Sequence, residues 1–146
     1  MLKITNPATG KIVAEVLEDN AASIKRKYLL ARDAQPAWAA KSLGHRTKIL
    51  RAFRAQVAAR KDELARILVS ETGKPLQQAM SELNGLLPRI EFFLDHARKT
   101  LRPRKVHDQD GMTEVISHEP LGVIANISAW NYPYFVGANV FVPALL

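Results

Sequence analysis

The chain has 146 residues, of which 47% are hydrophobic and 24% charged, and it carries a formal net charge of +7 at pH 7. This balance supplies enough apolar mass for one core and excludes an intrinsically disordered chain. There is no cysteine, which excludes a disulfide framework, a thiolate metal site and a thiol nucleophile from these residues.

Met1 leads into the polar run "MLKITNPATG" without the apolar stretch of a secretory signal, so a cytoplasmic protein is expected. "NPATG" (6 to 10) is a turn signal, and the β-branched run at 11 to 17 that follows predicts a short strand. Asp19 or Asn20 then caps a helix in which Ile24, Tyr28, Ala31 and Trp38 recur at helical spacing, and Pro36 is expected to end or kink it. A second helical region carries Ile49, Leu50, Phe53, Val57, Leu64, Ile67 and Leu68 on one face, as one helix or two joined near Asp62. Gly73 with Pro75 stops it.

The third helix is predicted from about residue 75 to 101, with a stripe of Leu76, Met80, Leu83, Leu87, Ile90, Leu94, Ala97 and Leu101. Gly85 and Pro88 inside the stripe argue for packing on a globular body rather than a free-standing coiled coil. Asp110-Gly111, between "RKVHDQ" and "MTEVISH", suits a two-residue type I′ turn and predicts a β-hairpin. "LGVIANIS" (121 to 128) is apolar on both faces and reads as a central strand of a parallel sheet. "NYP" turns, and residues 134 to 146 begin a helix that reads as the crossover of a βαβ unit. A parallel strand needs the neighbour that such a crossover reaches, so the chain reads as the front portion of a longer fold. The segment after Pro120 then lacks sheet partners, and deleting it is expected to raise solubility.

Basic residues gather at Lys25 to Lys27, from Arg46 to Arg66 and in "ARKTLRPRK" (97 to 105). A basic helical module that binds nucleic acid or a protein partner is the alternative this permits. Solvated helix faces are the preferred reading, because no exposed aromatics interleave the charges and no nucleic-acid motif is present. The uncharged stretch from Leu121 to Leu146 fails as a membrane span on Asn126, Ser128, Asn131, Asn139 and Pro133. His45, His96, His107 and His118 share no metal-ligand spacing, so no metal site is expected. Glu71 and Glu82 have no partner nucleophile nearby and read as packing or capping groups rather than general bases; Ser117 and Ser128 lack a visible base. Asn131 stands at the tip of the apolar run, where a primary amide either caps the next helix or meets a ligand; the residues by themselves favour the cap.

At "EPLGVIANISAWNYP" followed by "VPALL", the sequence resembles the start of the cofactor-binding domain in the aldehyde dehydrogenase superfamily. Upstream, "NPATGKIVAEV", Ala37-Trp38, Arg46 and "SETGKPLQQAMSEL" are similar to family segments in the same order, so the resemblance runs nearly end to end. It departs at Ser128 and Ala129, at Tyr132 and at Pro88. The resemblance implies an α/β fold, the N-terminal part of the aldehyde dehydrogenase fold. Its parts are short strands, a mainly helical region, a β-hairpin, and the first strand and helix of a Rossmann-like cofactor domain. It divides the chain into residues 1–103, the N-terminal strand and helical part of the cofactor-binding domain; 104–119, the hairpin of an oligomerisation element; and 120–146, the start of the NAD(P)-binding sheet.

For function, the resemblance implies oxidation of an aldehyde through a cysteine thiohemiacetal with NAD or NADP, in a homo-oligomer. It makes Asn131 the oxyanion donor, with Ile127, Ser128, Ala129 and Trp130 beside it along the cofactor. Neither the thiol nor the water-activating glutamate of the family is supplied here, so the 146 residues alone are expected to be inactive.

Overall fold

A computed structural model describes all residues 1–146. The Asn6 side-chain oxygen accepts the Ala8 and Thr9 amides at 2.9 and 3.2 Å, and Gly10 adopts φ 69°. This Asx-type turn folds β1 (Leu2–Thr5) antiparallel onto β2 (Ile12–Val16), with Leu2 opposite Val16. The strand expected at 11 to 17 is thus present, with a partner that the sequence reading had left unassigned.

Asn20 caps α1 (Ala21–Ala39) reciprocally with Ser23, each side chain accepting the other's amide at 2.9 Å. Pro36 does not end this helix, which continues to Ala39. No residue of α1 is buried, so water can satisfy the carbonyl that the proline ring deprives of its donor. The indole nitrogen of Trp38 donates to the carbonyl of Leu145 at 3.0 Å and so ties the end of α1 to the far end of the chain.

The next helical region divides at Arg60, two residues before the expected joint, into α2 (Leu43–Ala59) and α3 (Lys61–Thr72). Gly73 closes α3 at φ 72°, and a Cβ there would lie 2.6 Å from Cγ of Pro7, on the turn between β1 and β2. Gly73→Ala is therefore expected to destabilise the chain by about 1–3 kcal/mol. Urea unfolding should show a lower midpoint at unchanged slope, and an unchanged midpoint would mean that Pro7 yields at no cost.

Helix α4 (Leu76–Leu101) is the centre of the core and packs against α2, α3 and a later helix, α5 (Pro133–Leu145). It buries Ala79, Leu83, Leu86, Ile90, Leu94 and Ala97, joined by Leu50, Val57, Ala65 and Leu68 from α2 and α3 and by Ala138, Val142 and Leu146. The predicted stripe is right in phase but tilts toward Leu86, leaving Leu76 half exposed. Ile49, Phe53 and Ile67, expected on the inner face, stay partly open to solvent.

Strands β3 (Arg104–Gln109) and β4 (Met112–Ile116) form the expected hairpin. Asp110 and Gly111 both take positive φ, 52° and 75°, as a type I′ turn requires.

The strand expected at 121 to 128 does not form. The two antiparallel pairs are the only sheets, and residues 117 to 129 belong to no element. A strand has no internal hydrogen bonds, and nothing in this chain lies beside the segment to pair with it. Helix α5 does follow the turn, as read. No helix is long and apolar enough to cross a membrane.

Candidate functional site

Pro133 occupies the first position of α5, where its fixed φ suits the helix and its missing amide leaves nothing unsatisfied. The first exposed donors of the helix are thus the amides of Tyr134 and Phe135. Tyr132, the N-cap residue, offers them no side-chain hydrogen bond. Asn131 does not cap them either, which removes the capping role that the residues alone had favoured. Both amides are taken by Glu82 of α4, whose Oε1 accepts from Tyr134 at 2.9 Å and from Phe135 at 3.2 Å.

Glu82 is 2% exposed, the one charged residue in the core, and a buried carboxylate needs partners for both oxygens. The helix end supplies two amides and the positive end of its dipole. Lys74 supplies the rest: its Nζ donates to Oε2 at 2.9 Å and also to the backbone carbonyl of Asn131. The same ammonium stands 4.4 Å from the ring centroid of Tyr132. Residues 131 to 135 are therefore gripped from outside by two side chains that flank the start of α4. Glu82 matches its reading as a capping group, but the helix it caps begins more than fifty residues away in the sequence. Lys74 was not singled out, and no local pattern could have shown it.

A second set of contacts lays the preceding segment over the first turns of α5. The Asn126 amide donates to the carbonyl of Gly137 at 3.0 Å, and the Ser128 hydroxyl donates to the carbonyl of Pro133 at 2.8 Å. A Cβ on Gly137 would approach Ser128 Oγ at 3.3 Å, so the glycine admits this strap. Between the inward Asn126 and Ser128, Ile127 faces away and is 96% exposed; Trp130 is 82% exposed. Ala129 and Asn131 are exposed too. The side-chain amide of Asn131 makes no hydrogen bond with the rest of the chain. The five residues predicted from the sequence thus share one solvent-facing turn, with the Ser128 hydroxyl bonded to the carbonyl of Pro133.

Deeper in the same region, Arg89 donates to Asn139 Oδ1 at 2.7 Å and stacks over Phe93, 4.7 Å from its centroid, which anchors the middle of α5 to α4. Tyr134 reaches the carbonyl of Leu64 at 3.3 Å. Burial, aided by the carboxylates of Glu71, Glu82 and Glu63, pushes its phenol above the ordinary range, so it stays a neutral donor.

The family model described as "Aldehyde dehydrogenase family" matches residues 1–146. A 3,6-anhydro-alpha-L-galactose dehydrogenase of Streptomyces coelicolor is 34% identical over 145 residues, which are 99% of this chain and 29% of that protein. Among solved structures, an aldehyde dehydrogenase from Brucella melitensis biovar abortus 2308 matches with a TM-score of 0.92 at 34% identity, over 98% of this chain and 30% of its own. An NADP-dependent enzyme of E. coli matches with a TM-score of 0.91 at 30% identity over the same shares of the two chains. The 146 residues span about 30% of the length of these relatives.

Proposed function

Because the chain belongs to the aldehyde dehydrogenase family, we propose that residues 1–146 act as the N-terminal segment of an NAD(P)-dependent aldehyde dehydrogenase and contribute the Asn131 turn to its active site. The observation that carries this reading is a primary amide left without a partner at the tip of a turn whose helix is already capped by Glu82. The amide is free to serve a ligand.

The chemistry suits it. Attack of a thiolate on an aldehyde converts the carbonyl oxygen to an oxyanion, and a carboxamide NH₂ fixed beforehand donates to it without adding charge. Aspartate in its place would repel the oxyanion, and lysine would itself react with the aldehyde. Ile127 and Trp130 offer apolar surface beside the amide, and Ala129 leaves the backbone approachable; the Ser128 hydroxyl is engaged by the Pro133 carbonyl. These features fit the nicotinamide end of NAD or NADP, which when bound accepts the hydride of the aldehyde. In the same reading, residues 1–103 and 120–146 belong to a Rossmann-like cofactor domain. Residues 104–119, a hairpin exposed on both faces, contact a neighbouring subunit in a cytoplasmic homo-oligomer.

The thiol cannot come from these 146 residues, since they hold none. The pure chain is accordingly expected to show no aldehyde-dependent reduction of NAD or NADP above background, and measurable turnover by it would refute the mechanism. The positive test is a chimera in which residues 1–146 replace the matching 30% of the Brucella aldehyde dehydrogenase. It should oxidise aldehydes with NAD or NADP; a folded chimera that does not would sink the reading.

A further inference from the structure

We propose that Glu82 and Lys74 are positioning residues for Asn131. A buried carboxylate on α4 and its lysine partner just before that helix hold the backbone that carries the Asn131 amide, from outside its own segment. The proposal rests on the oxyanion reading for its catalytic consequence, but its geometry stands apart from that reading.

Two observations carry it. The Asn131 side chain is tied to nothing, so its placement is set only through its own backbone. That backbone is held at two points: Lys74 grips the Asn131 carbonyl, and Glu82 grips the amides of Tyr134 and Phe135. The two grips are joined by the Lys74–Glu82 ion pair at 2.9 Å. Side-chain exposure is 11% for Lys74 and 0% for Glu82, so water competes weakly for the ion pair that joins the grips.

All three donors around Glu82 point at a carboxylate, which accepts on both oxygens and donates on neither. Glutamine has the same shape but carries an NH₂ on one side. Placed toward Lys74 it sets donor against ammonium; turned over, it sets donor against the Tyr134 and Phe135 amides. Glu82→Gln should thus release the turn while leaving the packing of α4 unchanged. Lys74→Met removes the grip on the Asn131 carbonyl directly, and Lys74→Arg, which keeps a charged donor, should preserve most of it.

Amide hydrogen exchange in the 146-residue chain reads the grip. In Glu82→Gln, Tyr134 and Phe135 should lose protection about tenfold or more, the size expected for losing a charge-assisted hydrogen bond, while amides inside α4 keep theirs. Equal protection in both proteins would overturn the proposal, as would a uniform loss across α4. In the chimera, Glu82→Gln and Lys74→Met should each lower kcat by about 10²-fold with little change in KM, as expected for a misplaced catalytic group. In an Asn131→Ala background, Glu82→Gln should cost nothing further. An undiminished second loss there would show that Glu82 acts only on stability. If the unsubstituted chimera is inactive, the enzyme reading fails, and the exchange result still decides the grip.

Discussion

Replacing Asn131 by alanine in the chimera is expected to lower kcat by about 10²- to 10³-fold, the range found when one oxyanion donor is removed. The expectation is this large because the reaction creates charge where the ground state has only a dipole, so the amide contributes mainly in the transition state. Affinity for NAD(P) should fall only modestly, because alanine leaves Ile127 to Trp130 and the backbone of the turn in place. Stability should barely change, since the amide makes no hydrogen bond within the chain and stands in solvent. Steady-state kinetics and thermal unfolding on the same samples separate these effects. A rate equal to that of the parent chimera would assign Asn131 to the turn alone and leave the oxyanion without its donor from this segment. Asn131→Asp is the complementary substitution: it keeps the shape, replaces donors with acceptors, and should be at least as damaging as alanine.

How much of this was legible depends on the range over which each feature is encoded. The cap at Asp19 or Asn20, the stop at Gly73 and the Asp110-Gly111 turn are each set within a few residues, and the structure has them there, with Asn20 as the cap. The α4 stripe is legible for the same reason, since its period repeats over 26 residues. β1 is only four residues long with one partly buried side chain, and its existence depends on the turn at Asn6 more than on its own composition. The run at 121 to 128 misled in the opposite direction. Its apolar residues record a need for sheet neighbours, and that need cannot create a strand in their absence. Pro36 was read as an end or a kink because proline removes a helix bond, but no residue of α1 is buried and the helix runs on to Ala39. At the candidate site, residues 127 to 131 were proposed through their likeness to a family motif. The Lys74–Glu82 grip on them was not, because its partners are far apart in sequence and Glu82 carries no mark that separates it from a surface glutamate.

The 146-residue chain by itself is expected to self-associate, and sedimentation velocity should show species heavier than a monomer that increase with salt. The salt dependence follows from the net charge of +7, whose repulsion between copies is screened as ionic strength rises. The attraction comes from Leu121, Ile127 and Trp130, which stand in solvent in a segment without strand partners, and from the hairpin, where Val106, Met112 and Val115 are about half exposed. Both β3 and β4 also leave an edge open to another chain. Deleting residues 120 to 146, which the sequence alone suggests as a remedy, now looks harmful. Helix α5 places Ala138, Val142 and Leu146 in the core, and its removal would uncover the face of α4 that carries Glu82, Gly85 and Arg89 and leave Glu82 and Lys74 without the turn they grip. The deletion should therefore aggregate more than the whole chain. Lysine at Leu121 and Ile127 should instead yield a monomer with unchanged helix content, since both side chains stand in solvent. A compact monomer of the unsubstituted chain, with strong exchange protection from residue 121 to 128, would mean that this segment finds strand partners within the chain after all.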